Sequence, residues 1–143
     1  IRALRVAVDG ARATPPELLT AYTTAVADLL GVSHAVQRAV TEPDLARALT
    51  AYVALSDAKE RTGQLRAVLN GAFSVGHFTP DVYTRFVRID AEQGPFLERF
   101  RAFAGPAEVA RYDSTMRAAA VAEVARLRAV ALAGADGRPL GVE

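Results

Sequence analysis

The chain has 143 residues, a length typical of one domain, and 51% of them are hydrophobic, enough to form a folded core. Seventeen basic residues balance sixteen acidic ones, so the charge indicates neither nucleic-acid binding nor attraction to a membrane surface. The absence of cysteine excludes disulfides and thiolate metal sites. The first residue is Ile1 and no apolar run reaches ~18 residues, so we expect a piece of a longer protein whose membrane anchor lies elsewhere.

Four proline-containing sequences predict the starts of helices. Each places a capping residue before the proline and an acidic residue in the first turn. They are Thr14-Pro15-Pro16-Glu17, Thr41-Glu42-Pro43-Asp44, Thr79-Pro80-Asp81 and Gly105-Pro106-Ala107-Glu108. Apolar residues follow at alternating steps of three and four, a spacing typical of helices that pack at shallow angles. We therefore predict an all-α, antiparallel up-and-down bundle of long helices, of the four-helix-bundle type.

The same proline-containing sequences suggest how the chain is divided. Residues 1–13 are predicted to be the end of a preceding helix, residues 14–133 the helical bundle, and residues 134–143 a turn-rich tail toward a following segment. Pro95 is expected to kink the third long helix, because proline removes a backbone hydrogen bond. The three alanines at 118–120 are expected to interrupt the fourth.

The second long helix has polar residues where the spacing predicts core. Its predicted core positions run Leu45, Leu49, Tyr52, Ser56, Lys59, Gly63, Arg66, Asn70 and Phe73. Ser33 and Gln93 interrupt the neighbouring helices in the same way. Burying a charge without a partner is strongly unfavourable, so these residues require an explanation.

One interpretation is a pocket for a small planar or tetrahedral anion. Arg66 would offer a planar pair of donors, and Lys59 a compact positive charge. Asn70 and Gln93 would add amide donors, and Gly63 would let the ligand approach the backbone. These residues are the predicted ligand-binding site.

The other interpretation needs no ligand. A straight helix drifts about 20° per heptad relative to a 3.5-residue repeat, so the core face can turn away from the predicted positions. Leu65, Val68 and Leu69 would then be buried, and Lys59 and Arg66 would extend toward solvent or pair with acidic neighbours. The residues alone leave both interpretations open.

Other types of site find little support in the sequence. His34 and His77 are far apart and lack companion ligands at metal-binding spacing, so we predict no metal site. No motif combines a nucleophile with a base, and no glycine-rich phosphate loop is present. We therefore expect neither enzymatic activity nor a cofactor.

Three segments resemble a known family in their order and spacing. They are LLTAYTTAVADLL (18–30), DAKERTGQLRAVLNGAFSVGHFTPDVYTRFVRIDAEQGPFLERFRAFA (57–104) and AVAEVARLRAVAL (120–132). Together they resemble the nitrate- and nitrite-sensing (NIT) domain. The similarity is greatest to versions that serve as extracytoplasmic sensors of actinobacterial histidine kinases.

The resemblance implies an all-helical domain that binds nitrate or nitrite through arginines on its long helices. Arg66, in the step Leu65-Arg66-Ala67, matches an arginine that the family places after a glutamate, here replaced by leucine. A second family arginine, in an upstream glutamate-arginine-glycine step, has no counterpart. LRVAVD (4–9) resembles the end of the family's central region, so we expect the carboxy-terminal half, or a reduced form, of the full domain.

The resemblance also implies a function. We expect an extracytoplasmic domain of a membrane-bound sensor histidine kinase that responds to a small anion such as nitrate or nitrite. The parent receptor is expected to be a homodimer and to contact the membrane only through segments outside this chain. The alternative is a ligand-free dimerisation or protein-interaction module of the same receptor.

Overall fold

The computed structural model describes residues 2–10 and 12–141, and this part of the chain forms helices and no strands. The helices are α1 (Arg2–Asp9), α2 (Pro15–Ala39), α3 (Pro43–Val75), α4 (Pro80–Phe103), α5 (Pro106–Met116) and α6 (Ala119–Ala133). The predicted all-α bundle is therefore confirmed. Within these ranges, no helix combines the length and the apolar character needed to cross a bilayer.

All four predicted helix starts are confirmed. Helices α2 to α5 each begin at the proline of the predicted sequence, because the first turn needs no N–H at that position and suits the fixed φ of proline. At α2, the Glu17 carboxylate accepts hydrogen bonds from the Thr14 N–H at 2.8 Å and its hydroxyl at 2.7 Å. At α3, the capping residue is Glu42 rather than Thr41, since its carboxylate accepts the Leu45 N–H at 2.6 Å.

The predicted interruption near the three alanines is confirmed, since α5 ends at Met116 and α6 begins at Ala119. Helix α4 continues through Pro95, and the kink expected there stays a prediction. Proline leaves the Ala91 carbonyl without its helical partner. Both residues are exposed, so water can take that hydrogen bond.

Helices α3 and α4 form the central pair, and the short connection between them makes them antiparallel. The main core contains Leu65, Val68, Ala72, Phe78, Phe86, Ile89, Ala131 and Leu140. The rings of Phe78 and Phe86 stack with centroids 5.5 Å apart. Helix α6 packs on α4, where the Tyr83 hydroxyl donates to the Leu132 carbonyl at 2.9 Å.

The residues after α6 fold back onto the turn between α3 and α4. The Leu140 N–H donates to the Gly76 carbonyl at 2.7 Å, and the Leu140 side chain is buried in the main core. Gly76 ends α3 with a φ of 84°, in the left-handed region that glycine adopts without strain. The predicted turn-rich tail thus closes one end of the bundle.

Candidate functional site

The buried face of α3 differs from the predicted one. The buried apolar residues of α3 that follow steps of three and four are Ala51, Ala54, Ala58, Leu65, Val68 and Ala72. This set is shifted by two residues from the predicted core positions, which is about 200° around the helix. The prediction was wrong in phase because it followed large apolar residues such as Tyr52. The small alanines, which give a weak hydrophobic signal, are the residues that face α4.

This shift distinguishes between the two interpretations of the polar residues. Leu65 and Val68 are buried, and Leu69 packs against the main core, as the ligand-free interpretation requires. Lys59 and Arg66 are exposed. The location of these residues is therefore explained without a ligand, while their binding of an anion stays a prediction.

One exposed face of α3, which we call the outer stripe, carries Lys59, Gly63, Arg66 and Asn70. It carries two positive charges and no acidic residue. Neither Lys59 nor Arg66 forms an ion pair with any residue in the described ranges. A Cβ atom added at Gly63 would meet nothing within 4 Å, so the middle of the stripe is open. The structure thus places three of the four predicted ligand-binding residues on one face of α3.

Gln93, the fourth, does not join the outer stripe. It is half-buried on α4, directly after Glu92, whose carboxylate pairs with Arg61 of α3. Its Nε2 atom is buried and has no hydrogen-bond partner among the residues that the structure describes. Gln93 therefore lies in the interface between α3 and α4.

Arg61 is a polar residue of the core face that the sequence prediction missed. It occupies the position between Ala58 and Leu65 in the observed spacing, and its Nε lies 2.7 Å from the Glu92 carboxylate. Its Nη1 donates to the Gln64 side-chain oxygen at 3.3 Å. Its guanidinium lies 5.9 Å from the ring centroid of Phe96. Had the small alanines been used to set the phase, the sequence would have identified this residue.

A polar cavity of about 210 Å³ lies beside Arg61, between α2 and α3. His34, Asp57, Glu60 and Arg61 contribute to its walls, and His34 contacts the Asp57 carboxylate at 3.2 Å. The charge of Arg61 is already offset by Glu92. Asp57 and Glu60 therefore give the cavity a negative balance. Such a cavity disfavours an anion.

A larger groove of about 710 Å³ lies between α2, the second half of α3 and the start of α4. Its walls are mainly apolar, and Gly63 and Asn70 of the outer stripe border it. Arg85 of α4 also contributes to the walls. We call it the three-helix groove. Its size exceeds what a four-atom anion can fill.

The two histidines lie in different places. Across residues 2–10 and 12–141, no three His, Cys, Asp or Glu side chains are grouped closely enough to hold a metal ion. His34 instead contacts Asp57, while His77 borders the three-helix groove.

Comparison with known families gave one informative result. The family model NIT, described as nitrate and nitrite sensing, matches residues 1–143, the whole length of the chain. Searches of curated proteins and of solved structures gave no significant match.

Proposed function

Since the chain belongs to the NIT family of nitrate- and nitrite-sensing domains, we propose that it is the extracytoplasmic sensing domain of a membrane-bound histidine kinase. Nitrate or nitrite binds this domain, and segments outside the chain carry the resulting helix rearrangement across the membrane. NIT domains sense rather than catalyse, so the function of this chain depends on binding alone. To signal, the anion must bind two packing states with different affinities.

The observation that supports a particular binding place is the outer stripe. Arg66 provides a planar guanidinium that matches the geometry of nitrate oxygens. Lys59 lies seven residues before it on the same face, about 10 Å away. Asn70 lies one turn after it and adds an amide donor. No carboxylate pairs with these charges in the described ranges, in contrast to the acidic cavity beside Arg61.

The exposure of the stripe sets a condition on this proposal. Charged contacts in water contribute little, typically below about 1 kcal/mol each. A facing segment or a second copy of the domain is therefore needed to exclude water from the anion. Gln93 takes part as a separate donor, since its buried Nε2 reaches an anion only if the α3–α4 interface opens.

A second candidate function, homodimerisation of the receptor, is supported by the exposed side of α2. Apolar residues follow steps of four and three along this side, in the order Leu18, Tyr22, Ala25, Leu29, Val32 and Val36. Tyr22, Leu29, Val32 and Val36 are exposed. Asp28 is the only Asp, Glu, Lys or Arg between positions 18 and 36. This spacing is typical of a helix that pairs with another helix, so a second copy of the domain is a suitable partner.

Calorimetry with nitrate, nitrite, chloride and sulfate tests the anion proposal. The wild type is expected to bind nitrate or nitrite saturably, and Arg66→Ala to lose that binding. Arg88→Ala is the matched control, because Arg88 is an exposed arginine of α4 outside the stripe. A wild type that shows no heat up to millimolar nitrate and nitrite, or equal binding by Arg66→Ala, would contradict the proposal.

Sedimentation equilibrium without added anion tests the second candidate. Leu29→Glu places a charge on the apolar side of α2 and is expected to give monomers where the wild type forms dimers. Val124→Glu, at a similarly exposed valine of α6, is expected to leave the dimer intact. A wild type that remains monomeric at all concentrations would eliminate this candidate.

A further inference from the structure

The three-helix groove has the size and the walls of a site for an organic ligand. Its volume of about 710 Å³ falls within the range of roughly 300–1,000 Å³ that is usual for small-molecule pockets. Leu19 and Val26 of α2, Val68 of α3 and Val82 of α4 supply apolar wall. Nitrate and nitrite are far too small to fill this space, so the groove suits a different ligand from the one proposed for the outer stripe.

Arg85 gives the groove a positive charge and a hydrogen-bond donor that no described residue uses. The side chain is half-buried, and its Nε is buried without a hydrogen-bond partner among the described residues. Arg85 also forms no ion pair within that part of the chain. A buried donor of a charged group is unfavourable unless an acceptor reaches it. An anionic ligand group would supply that acceptor.

Glu60, the acidic residue that borders the groove, lies at a different height along the helix pair from Arg85. The contact between Arg61 and Glu92 sets the register of the antiparallel pair. Arg85 is seven residues before Glu92 and therefore lies about 10 Å from the level of Glu60 and Arg61. The Glu60 carboxylate already accepts a hydrogen bond from Gln64 at 2.8 Å. The groove thus offers a positive charge that lies apart from its acidic residue.

Two glycines inside α3 leave part of one groove wall without side chains. Gly63 and Gly71 border it, and a Cβ atom added at either would meet nothing within 4 Å. Glycine in a helix interior is less stable than alanine. No neighbouring atom lies close enough to require glycine at either position. Space therefore remains in the groove where a larger side chain would fit.

We propose that the three-helix groove binds an amphipathic organic anion. Its carboxylate pairs with Arg85, and its aliphatic or aromatic body lies against the apolar walls. Burial of that body gives affinity, while the arginine selects acids over alcohols and amines of the same shape. The site is separate from Lys59 and Arg66, which do not border the groove.

A second groove provides an internal comparison. It encloses about 630 Å³ between α3 and α5 and is also mainly apolar, with Leu55 and Phe100 in its walls. Its arginine, Arg111, is exposed, and Glu108 also borders the groove. Size and apolar character alone would therefore give binding at both grooves, whereas selectivity for an acid is expected only at Arg85.

The experiment is a calorimetric titration with octanoate, octan-1-ol and octylamine, which share one chain length and differ in charge. The wild type is expected to bind octanoate about tenfold or more tightly than the other two. Arg85→Gln is expected to lose that preference and to keep its octan-1-ol binding. Gly71→Leu fills the three-helix groove and is expected to remove the binding of all three there, so that only unselective binding at the second groove remains. Gly31→Leu, at an exposed glycine of α2 that does not border the groove, is expected to bind like the wild type.

Circular dichroism shows whether each variant is folded, and leucine favours helix over glycine at both positions. No saturable binding of octanoate to the wild type would overturn the proposal. So would equal affinity for octylamine, or undiminished binding by folded Gly71→Leu. Arg66→Ala is expected to leave octanoate binding unchanged, so failure here and failure of the nitrate proposal are distinguishable.

Discussion

Helix α3 takes part in two interfaces that differ in how closely they pack. Toward α4 it presents small and branched apolar residues that bury Phe86 and Ile89 completely or nearly so. Toward α2 it presents polar contacts, such as the hydrogen bond from Gln37 to the Thr50 hydroxyl at 3.0 Å, and the two cavities between the helices. The exposed apolar residues Leu29, Val32 and Val36 of α2 border neither cavity. The comparison indicates that α3 and α4 hold the fold, while α2 is weakly held and suited to move.

The largest effect is expected from the α3–α4 interface. Phe86→Ala removes a ring that is 0% exposed and stacks on Phe78. It should lower the free energy of unfolding by about 3–5 kcal/mol, through lost burial and the cavity left behind. Urea denaturation measures the change. Phe103→Ala, at a 39%-exposed ring of the same helix, is the control and should cost less than about 1 kcal/mol. Similar losses from both variants would contradict a core centred on Phe86.

A smaller effect is expected from the α2–α3 interface. Gln37→Ala removes the side-chain hydrogen bond to Thr50 and should cost about 0.5–1.5 kcal/mol. The Thr50 hydroxyl still donates to the Ala46 carbonyl at 2.8 Å, so its hydrogen remains bonded. Hydrogen exchange should show the loss in α2 and little change in α4. If exchange in α4 rises equally, the two interfaces unfold as one unit and the comparison fails.

Filling space on the α2 side should stabilise the domain slightly. Gly71→Ala adds a methyl group that meets nothing within 4 Å and raises helix propensity. The expected gain is about 0.5–1 kcal/mol in the free energy of unfolding. Gly76→Ala is the contrasting variant, because a φ of 84° strains any residue with a Cβ atom. Thermal melts of both should move in opposite directions, and a loss from Gly71→Ala would show that the wall is tighter than described.

The smallest effect concerns acid and the start of α2. Hydrogen bonds from the Thr14 N–H and hydroxyl lower the pKa of Glu17 below its usual value. Because the folded pKa is the lower one, the contribution is present above the unfolded pKa, near 4.5, and is lost as the pH falls through the folded value. The protection factors of the first α2 amides, which correct for the intrinsic pH dependence of exchange, should therefore fall as the pH drops below about 4.5.

Glu17→Gln isolates this effect, because the amide keeps an acceptor and does not titrate. Its α2 amides should lack the acid-dependent step that the wild type shows. The same step in the variant would assign it to other carboxylates, such as Asp113, whose pKa is lowered by a hydrogen bond from Arg101.

Local features of the sequence predicted the helices well, whereas the contacts between helices were not predicted. Proline and its capping residues act within one turn, so the starts at Pro15, Pro43, Pro80 and Pro106 could be read directly. The phase of α3 was missed, because the large apolar residues do not mark the side that α4 approaches. Polar and apolar residues occur on both sides of α3, and the deciding contacts are made by alanines.

In the candidate site, too, features within one helix were predicted and contacts between helices were not. Lys59, Arg66 and Asn70 were identified as a group because they share a spacing along one helix, and the structure keeps them on one face. Gln93 lies on another helix, and its place in the α3–α4 interface depends on packing that the spacing does not contain. Arg85 was missed for a similar reason, since its role depends on a groove formed by three helices.

The central claim is that the outer stripe binds the anion. It is tested most directly by nuclear magnetic resonance of the arginine Nε–H groups during a nitrate titration, with chloride at equal ionic strength as the reference. The account predicts a saturable shift of the Arg66 signal with nitrate alone, while Arg88 stays unchanged. A saturable nitrate shift confined to Arg61 or Arg85, with Arg66 unmoved, would place the site on the inner side of α3 and contradict the account.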